Sequence, residues 1–333
     1  MALPGTRATL SRRLCALSFI AVACAAGPGA WAQNAADYPS RAVKIIAPTP
    51  PGQSTDILAR LVADQLSRSL GQSFYVDNKP GAGNILGTDA GAKAPPDGYT
   101  LVMAVSGGVS VAPAIYARMP YDPQKDLAPI TNLGTVSQTL VTASSAPWHN
   151  VQELIAAARK TPMNYGSAGV GSTSHLTTEA FLHAAGITAT HVPFKGAAES
   201  QPQLIGGQIQ FMFDALPAVV GQVRAGKMRV LGVGSAQRTP FLPDAPTIAE
   251  QGFPNFSATG WIGISAPAKT PVAILDKLNT EIRRIMATPE MRSKLQSLYF
   301  TPAEGSREEF AAFIAADIAR WGAVAKAASI KPE

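Results

Sequence analysis

The sequence predicts an α/β protein of two lobes with a ligand cleft between them, and three observations lead there. Apolar strand-like runs alternate with amphipathic helical stretches, the rhythm of parallel sheets covered by helices on both faces. The loops that follow the strands are rich in Gly, Ser, Thr and Pro. The last hundred residues supply one strand and two long amphipathic helices, which have no sheet of their own and must pack back on the first lobe.

The elements follow in order. Residues 43–47 (Val-Lys-Ile-Ile-Ala) read as a buried strand, stopped by Pro48-Thr49-Pro50-Pro51-Gly52, where prolines rule out continued pairing. A helix comes next, with Ile57, Leu58, Leu61, Val62, Leu66 and Leu70 on one face, Gly71 as its C′ residue and Ser54 or Thr55 as its cap. Residues 74–76 form a short strand before a Gly-rich turn over 79–87, and 100–105 form another, ending in Ser106-Gly107-Gly108. From about Val136 the alternation becomes regular. Helices are expected over 151–159, 173–185, 198–205 and 219–224, and strands over 164–167, 190–193, 209–214 and 228–234. A strand over 261–265 and helices over 272–287 and 307–325 complete the chain. The chain is expected to cross between lobes near 132–142 and near 235–260. Lobe 1 is then 33–135 plus 258–333, and lobe 2 is 136–257. In open α/β sheets ligands bind beyond the carboxyl ends of the strands, where helix N-termini offer unpaired N–H groups, so the cleft is the natural site.

Residues 1–32 have the pattern of an export signal rather than of fold: Arg7, Arg12 and Arg13, an apolar run over 14–26, and Ala30-Trp31-Ala32 as the peptidase site. The apolar run is too short to span a bilayer. A competing pattern, Ala21-Val22-Ala23-Cys24, has the form of a loose lipoprotein box. Both cysteines of the chain, Cys15 and Cys24, lie in this segment. Cleavage after Ala32 removes three arginines and no acid, taking the formal charge from +6 to +3. An exported chain without cysteine must draw its stability from a packed core.

Charged residues make up 15% of the chain, below the usual ~25%, and after residue 32 no basic run exceeds two residues. Nucleic-acid binding, which needs clustered cations, is not expected. Gly-x-Ser-x-Gly and His-Glu-x-x-His are both missing from the sequence, and His149, His175, His183 and His191 have no metal-type spacing. Gly81-Ala82-Gly83 and Gly169-Val170-Gly171 lack the third glycine of a dinucleotide loop, and the P-loop imitation over 221–227 meets Met228 where a hydroxyl is needed. No catalytic residue, metal or cofactor is expected. What remains is a set of hydroxyl- and glycine-rich loops over 48–55, 81–88, 106–110 and 167–175. Singly they read as turns and caps. Together, at the carboxyl ends of strands, they suit a carboxylate held by N–H and O–H donors.

The motifs then fall into a known order. Tyr38-Pro39 with the strand from Val43, Pro51-Gly52-Gln53-Ser54-Thr55-Asp56, Asn78-Lys79-Pro80-Gly81-Ala82-Gly83 and Asp97-Gly98-Tyr99-Thr100-Leu101 resemble successive signatures of the solute-binding receptors of tripartite tricarboxylate transporters, the Bug-type receptors. The series from Ser167 through His175 to Leu176, then Val192-Pro193-Phe194-Lys195-Gly196, Ala245-Pro246-Thr247 and Glu250-Gln251-Gly252, continues the resemblance across nearly all of the chain beyond residue 32.

The resemblance implies a two-lobe, type II-like Venus flytrap periplasmic binding protein. It implies capture of a small organic carboxylate (a dicarboxylate, tricarboxylate, aromatic acid or acidic amino acid) and delivery to a permease with one large and one small membrane subunit, by a monomeric receptor. Carried over by motif, Gln53, Ser54 and Thr55 contact the ligand with Ser106 nearby, and Ser167, Gly169, Ser172, Thr173 and Asp214 contribute from the second lobe. Asn84 stands where the family usually has glycine, so its side chain narrows the pocket or adds a hydrogen bond. The alternatives are a periplasmic enzyme on a similar acid, or a receptor that signals without transport.

Several of these residues also have plain structural readings. Asp56 complements the helix dipole from the first turn. Asp214 either caps a helix at Ala215 or faces the cleft; in the cleft it favours a ligand with an amine or hydroxyl, or a protonated or water-bridged contact. Lys195 either screens ligand charge or lies in solvent, with solvent the expected reading, and His175 braces its loop.

Overall fold

The computed structural model describes residues 37–170, 172–327 and 330. The export-type segment, with Cys15 and Cys24, lies outside them. Among the described residues ten strands form the sheet: eight lie along the path β2-β1-β3-β9-β4-β7-β5-β6, and β8 and the two-residue β10 (Thr301–Pro302) join β4 beside it. Strands β1 (Val43–Ala47), β2 (Phe74–Asn78) and β3 (Thr100–Val105) are parallel. So are β5 (Asn164–Ser167), β6 (Thr190–Pro193) and β7 (Phe211–Ala215).

The expected crossing near 132–142 proves to be a strand. It is β4 (Leu127–Ala143), which pairs β9 (Thr259–Pro267) up to Ser137, then β7 from Gln138 and β8 (Met228–Val233) from Thr139. The second lobe's sheet is therefore not wholly parallel, because β4 runs antiparallel to β7 and β8. The reason is geometric. A strand that leaves one sheet at its carboxyl edge enters the next sheet from that sheet's carboxyl edge, so it must run against its new neighbours. β9 does the same in the other direction and lies antiparallel to β3. Where the two crossings meet, Gly234 donates to the Gln138 carbonyl (2.7 Å), Ala258 donates to the Gly234 carbonyl (2.6 Å), and Gln138 donates to the Ala258 carbonyl (3.1 Å). A Cβ on Gly234 would sit 2.8 Å from the Ala258 oxygen, so this approach requires glycine.

Helix α1 (Ser54–Leu70) buries Leu58, Val62 and Leu66 of its expected apolar face and ends at Gly71 with φ 70°, as predicted, while Leu61 and Leu70 are half-buried and Ile57, at the edge of the face, is exposed. The expected Ser54 or Thr55 cap is corrected: Gln53 is the N-cap residue and no side chain caps the helix. Sequence reading also passed over α2 (Ile85–Ala92), a π turn over 107–111 leading into α3 (Ala112–Ile115), and α9 (Pro289–Ser297). Helices α4 (Val151–Ala158), α5 (Thr173–Ala185), α6 (Ala197–Ile205) and α7 (Leu216–Arg224) cover the second sheet. Tyr165, Phe181, Phe211, Phe213, Leu231 and Phe256 fill the core there.

The C-terminal helices α8 (Val272–Met286) and α10 (Arg307–Ala327) pack back on the first sheet, as expected. Trp261 of β9 is fully buried, meets the Phe310 ring edge-on at 5.4 Å, and donates its indole N–H to Asp317 at 2.8 Å. Trp321 of α10 clusters with Val111, Ile115 and Leu176, so α10 also touches α5. Among the described residues no helix is long and apolar enough to cross a membrane.

Candidate functional site

The carboxyl ends of the strands converge on a cavity of about 690 Å³, within the range of small-molecule sites. Its first wall is the N-terminus of α1. Because no side chain caps that helix, its first-turn N–H groups stay directed at the cavity, where Gln53, Ser54 and Thr55 line the wall. Asp56 holds the loop in shape. Its carboxylate is buried, accepts the Gly52 N–H (2.8 Å) and Asn78 Nδ2 (2.9 Å), and pairs with Arg60 at 2.9 Å. Burial alone would raise this carboxyl, but Arg60, Gly52 and Asn78 outweigh it and hold it below the usual carboxylate range. Asp56 thus takes the structural reading, as a brace as well as a dipole partner.

Asn84 lines the cavity in a left-handed conformation, φ 80°, which asparagine tolerates better than most residues. Its Nδ2 donates to the Pro48 carbonyl at 2.9 Å, tying two cavity loops together. The turn after β3 passes so close that a Cβ on Gly107 would lie 2.7 Å from Asn84 Oδ1. Ser106, buried, lines the floor beside it.

From the second lobe, Ser172, Thr173 and Ser174 line the opposite wall. Ser172 caps α5 by accepting the His175 N–H and donates its Oγ to the Gly169 carbonyl at 2.7 Å. Ser167 and Gly169 are placed differently, since neither lines the cavity. The Ser167 hydroxyl meets His191 Nε2 at 2.7 Å and the Gly169 N–H at 3.1 Å, which makes it a loop brace. Sequence spacing gave no hint of this histidine: His191 stacks on His175 with centroids 4.0 Å apart, and on Tyr165 at 4.8 Å. Tyr165 donates its hydroxyl to Glu179. Burial, and then the neighbouring His175, push the His191 imidazole down to about 4, so the His191 ring is neutral at physiological pH. Lys195 is exposed, as expected.

Asp214 is the last residue but one of β7 and takes the cavity-lining alternative rather than the capping one, since Ala215 is the N-cap residue of α7 and no side chain caps that helix. Oδ1 accepts the Ala215 N–H at 2.8 Å at the start of α7, and the residue also lines the cavity. Oδ2 is buried without a partner in the protein, and burial raises the carboxyl to about 6. Residues that motif reasoning missed include Thr49, Tyr116, Gln138, Trp261 and Phe300. Only recognising β4 and β9 as the crossing strands would have pointed to Gln138 and Trp261.

Among the described residues that line the cavity there is no Lys, Arg or His. No group of three or more His, Cys, Asp or Glu that could hold a metal occurs among the described residues. An anion bound here must be held by main-chain N–H groups, hydroxyls, amides and helix dipoles.

The chain matches the family described as tripartite tricarboxylate transporter family receptor over residues 58–330. The BugT protein of Bordetella pertussis is 35% identical over 94% of this chain and 96% of its own. Among solved structures, Rpa4515 of R. palustris with adipate is 37% identical, with a TM-score of 0.81 over 89% of this chain and all of that one. MatC (Rpa3494) of Rhodopseudomonas palustris with bound malate is 30% identical, with a TM-score of 0.75 over 86% of this chain and all of that one. The fold is the two-lobe α/β architecture of periplasmic solute-binding proteins.

Proposed function

Because the chain belongs to the tripartite tricarboxylate transporter receptor family, we propose that it is a periplasmic receptor that captures a small organic carboxylate and delivers it to a membrane permease of that class. The observation that carries the reading is the cavity itself: it is lined by an uncapped helix N-terminus and by hydroxyl- and glycine-rich loops, with no cationic side chain among its described residues. Such a wall binds a carboxylate through several N–H and O–H donors while leaving the ligand able to depart. Relatives held with adipate and with malate, both dicarboxylates, support the same class.

The lobes are 33–135 plus 258–333 and 136–257, hinged where Gln138, Gly234 and Ala258 share backbone hydrogen bonds. The N-terminal segment serves export and is removed after Ala32. The receptor acts as a monomer, with the large and small permease subunits as partners, and it binds its ligand without turning it over.

Thermal-shift measurements with mono-, di- and tricarboxylates, aromatic acids and acidic amino acids test this. At least one should raise Tm by mass action, and Ser54→Trp or Thr173→Trp should remove the effect. No shift with any of them at millimolar concentration would refute the reading, and loss of ligand on incubation would mark an enzyme instead.

A further inference from the structure

We propose that the cavity selects acids that carry a hydrogen-bond donor, an ammonium or a hydroxyl, near the carboxylate, and that Asp214 is the residue that reads this donor. The inference rests on the receptor reading above and narrows its ligand class.

Asp214 is 9% exposed, lines the cavity, and uses only one of its two oxygens within the protein. The Gln138 side-chain oxygen, on the strand that pairs with β7, is a second buried acceptor without a partner, and it lines the same cavity. Two orphan acceptors in the same cavity as an uncapped helix N-terminus give the site a set of donors and a set of acceptors. An acid whose polar atoms are all carboxylate oxygens satisfies the first and leaves the second unpaired, with an added repulsion between carboxylates. An ammonium or hydroxyl supplies the missing partner.

Asp214 is able to act as an anion at neutral pH. It sits at the N-terminus of α7, which has no side-chain cap, so the positive end of the helix dipole faces the carboxylate. Burial raises its carboxyl only to about 6. A hydrogen bond to a charged group is commonly worth about 10- to 100-fold in affinity when its loss leaves a buried partner unmatched.

Calorimetric titration of the purified protein at pH 8 with matched series tests the proposal: succinate, malate and aspartate; glutarate, 2-hydroxyglutarate and glutamate; propionate, lactate and alanine. The expected result is that in the best-bound series the hydroxy or amino acid binds about 10-fold or more tighter than its unsubstituted parent. Asp214→Asn should abolish that preference and bind the unsubstituted acid at least as well as the native protein does. Should Asp214→Asn fail to fold, the ranking on the native protein decides alone. Unsubstituted acids binding as tightly as their hydroxy and amino counterparts would overturn the proposal and leave the receptor reading standing. Failure of the panel to bind at millimolar concentration would overturn the proposal, and failure of the wider set of acids named above would overturn the receptor reading too.

Discussion

Replacing Asp214 by Asn should stabilise the ligand-free protein at pH 8 and do much less at pH 4.5. Burial raises the Asp214 carboxyl from 3.8 to about 6. Between those values the unfolded chain has lost its proton while the folded protein keeps it, so the folded state binds more protons and stability falls as pH rises. Above pH 6 the penalty is complete. A shift of about two units at ~1.4 kcal/mol each makes it roughly 3 kcal/mol, shrinking to about 1 kcal/mol at pH 4.5 and vanishing below the unfolded value. Asparagine keeps an oxygen for the Ala215 N–H and carries no charge, so its variant lacks this slope. For a chain of this size the gain corresponds to several degrees in Tm at pH 8. Fluorimetric and urea melts of both proteins from pH 4.5 to 8, without ligand, measure it. A difference in stability that stays constant across this range, or a native protein more stable than the variant at pH 8, would refute the reasoning.

Three further outcomes follow from the geometry. Gly234→Ala places a methyl 2.8 Å from the Ala258 oxygen and 3.0 Å from the Gln138 oxygen, so it should cost about 1–3 kcal/mol in urea melts and alter ligand-induced compaction in solution scattering. Asp56→Ala should destabilise by about 2 kcal/mol and weaken carboxylate binding, because the Gly52 N–H and Asn78 lose their charged acceptor and the α1 loop loosens; calorimetry reads both. The Asp56 carboxyl lies below its ordinary 3.8, so its stabilisation is full above that value and lost as pH falls further. Asp317→Ala should leave the buried Trp261 indole N–H without its acceptor and lower stability by about 1–3 kcal/mol in urea melts, with a change in tryptophan fluorescence.

The sequence made some of this plain and hid the rest for identifiable reasons. β1 and α1 were readable because a largely apolar run met a proline loop, and an apolar face at helical spacing met Gly71. β4 was hidden because its alternation is broken: register shifts fall between Pro129 and Thr131, between Asn132 and Gly134, and between Leu140 and Val141. The segment over 107–115 opens with two glycines and contains Pro113, which reads as loop. Eight of the ten residues carried over by motif line the cavity. Ser167 and Gly169 do not, because Ser167 turns to His191, a partner 24 residues away on the neighbouring strand that no local motif announces.

An unpaired carboxylate in a cavity suited to anions looks like a defect until its position is considered. Asp214 pairs in register with Thr139, next to Gln138, and Gln138 is the residue whose backbone joins Gly234 and Ala258 at the crossing. The two orphan acceptors therefore lie beside the proposed hinge, both on paired strands of the second lobe, so it is their distance from α1 that changes if the lobes rotate. In the proposed reading, a ligand donor that reaches Asp214 offsets part of the burial penalty on its carboxyl while the ligand carboxylate meets the α1 end of the cavity. A ligand shifts a conformational equilibrium only by its difference in affinity for the two states. A carboxylate alone can engage α1 with the lobes apart, whereas carboxylate and donor together require both walls. If Asp214 reads a ligand donor as proposed, the same atoms serve both discrimination and closure, a function that would offset a buried charge that stability alone would have removed.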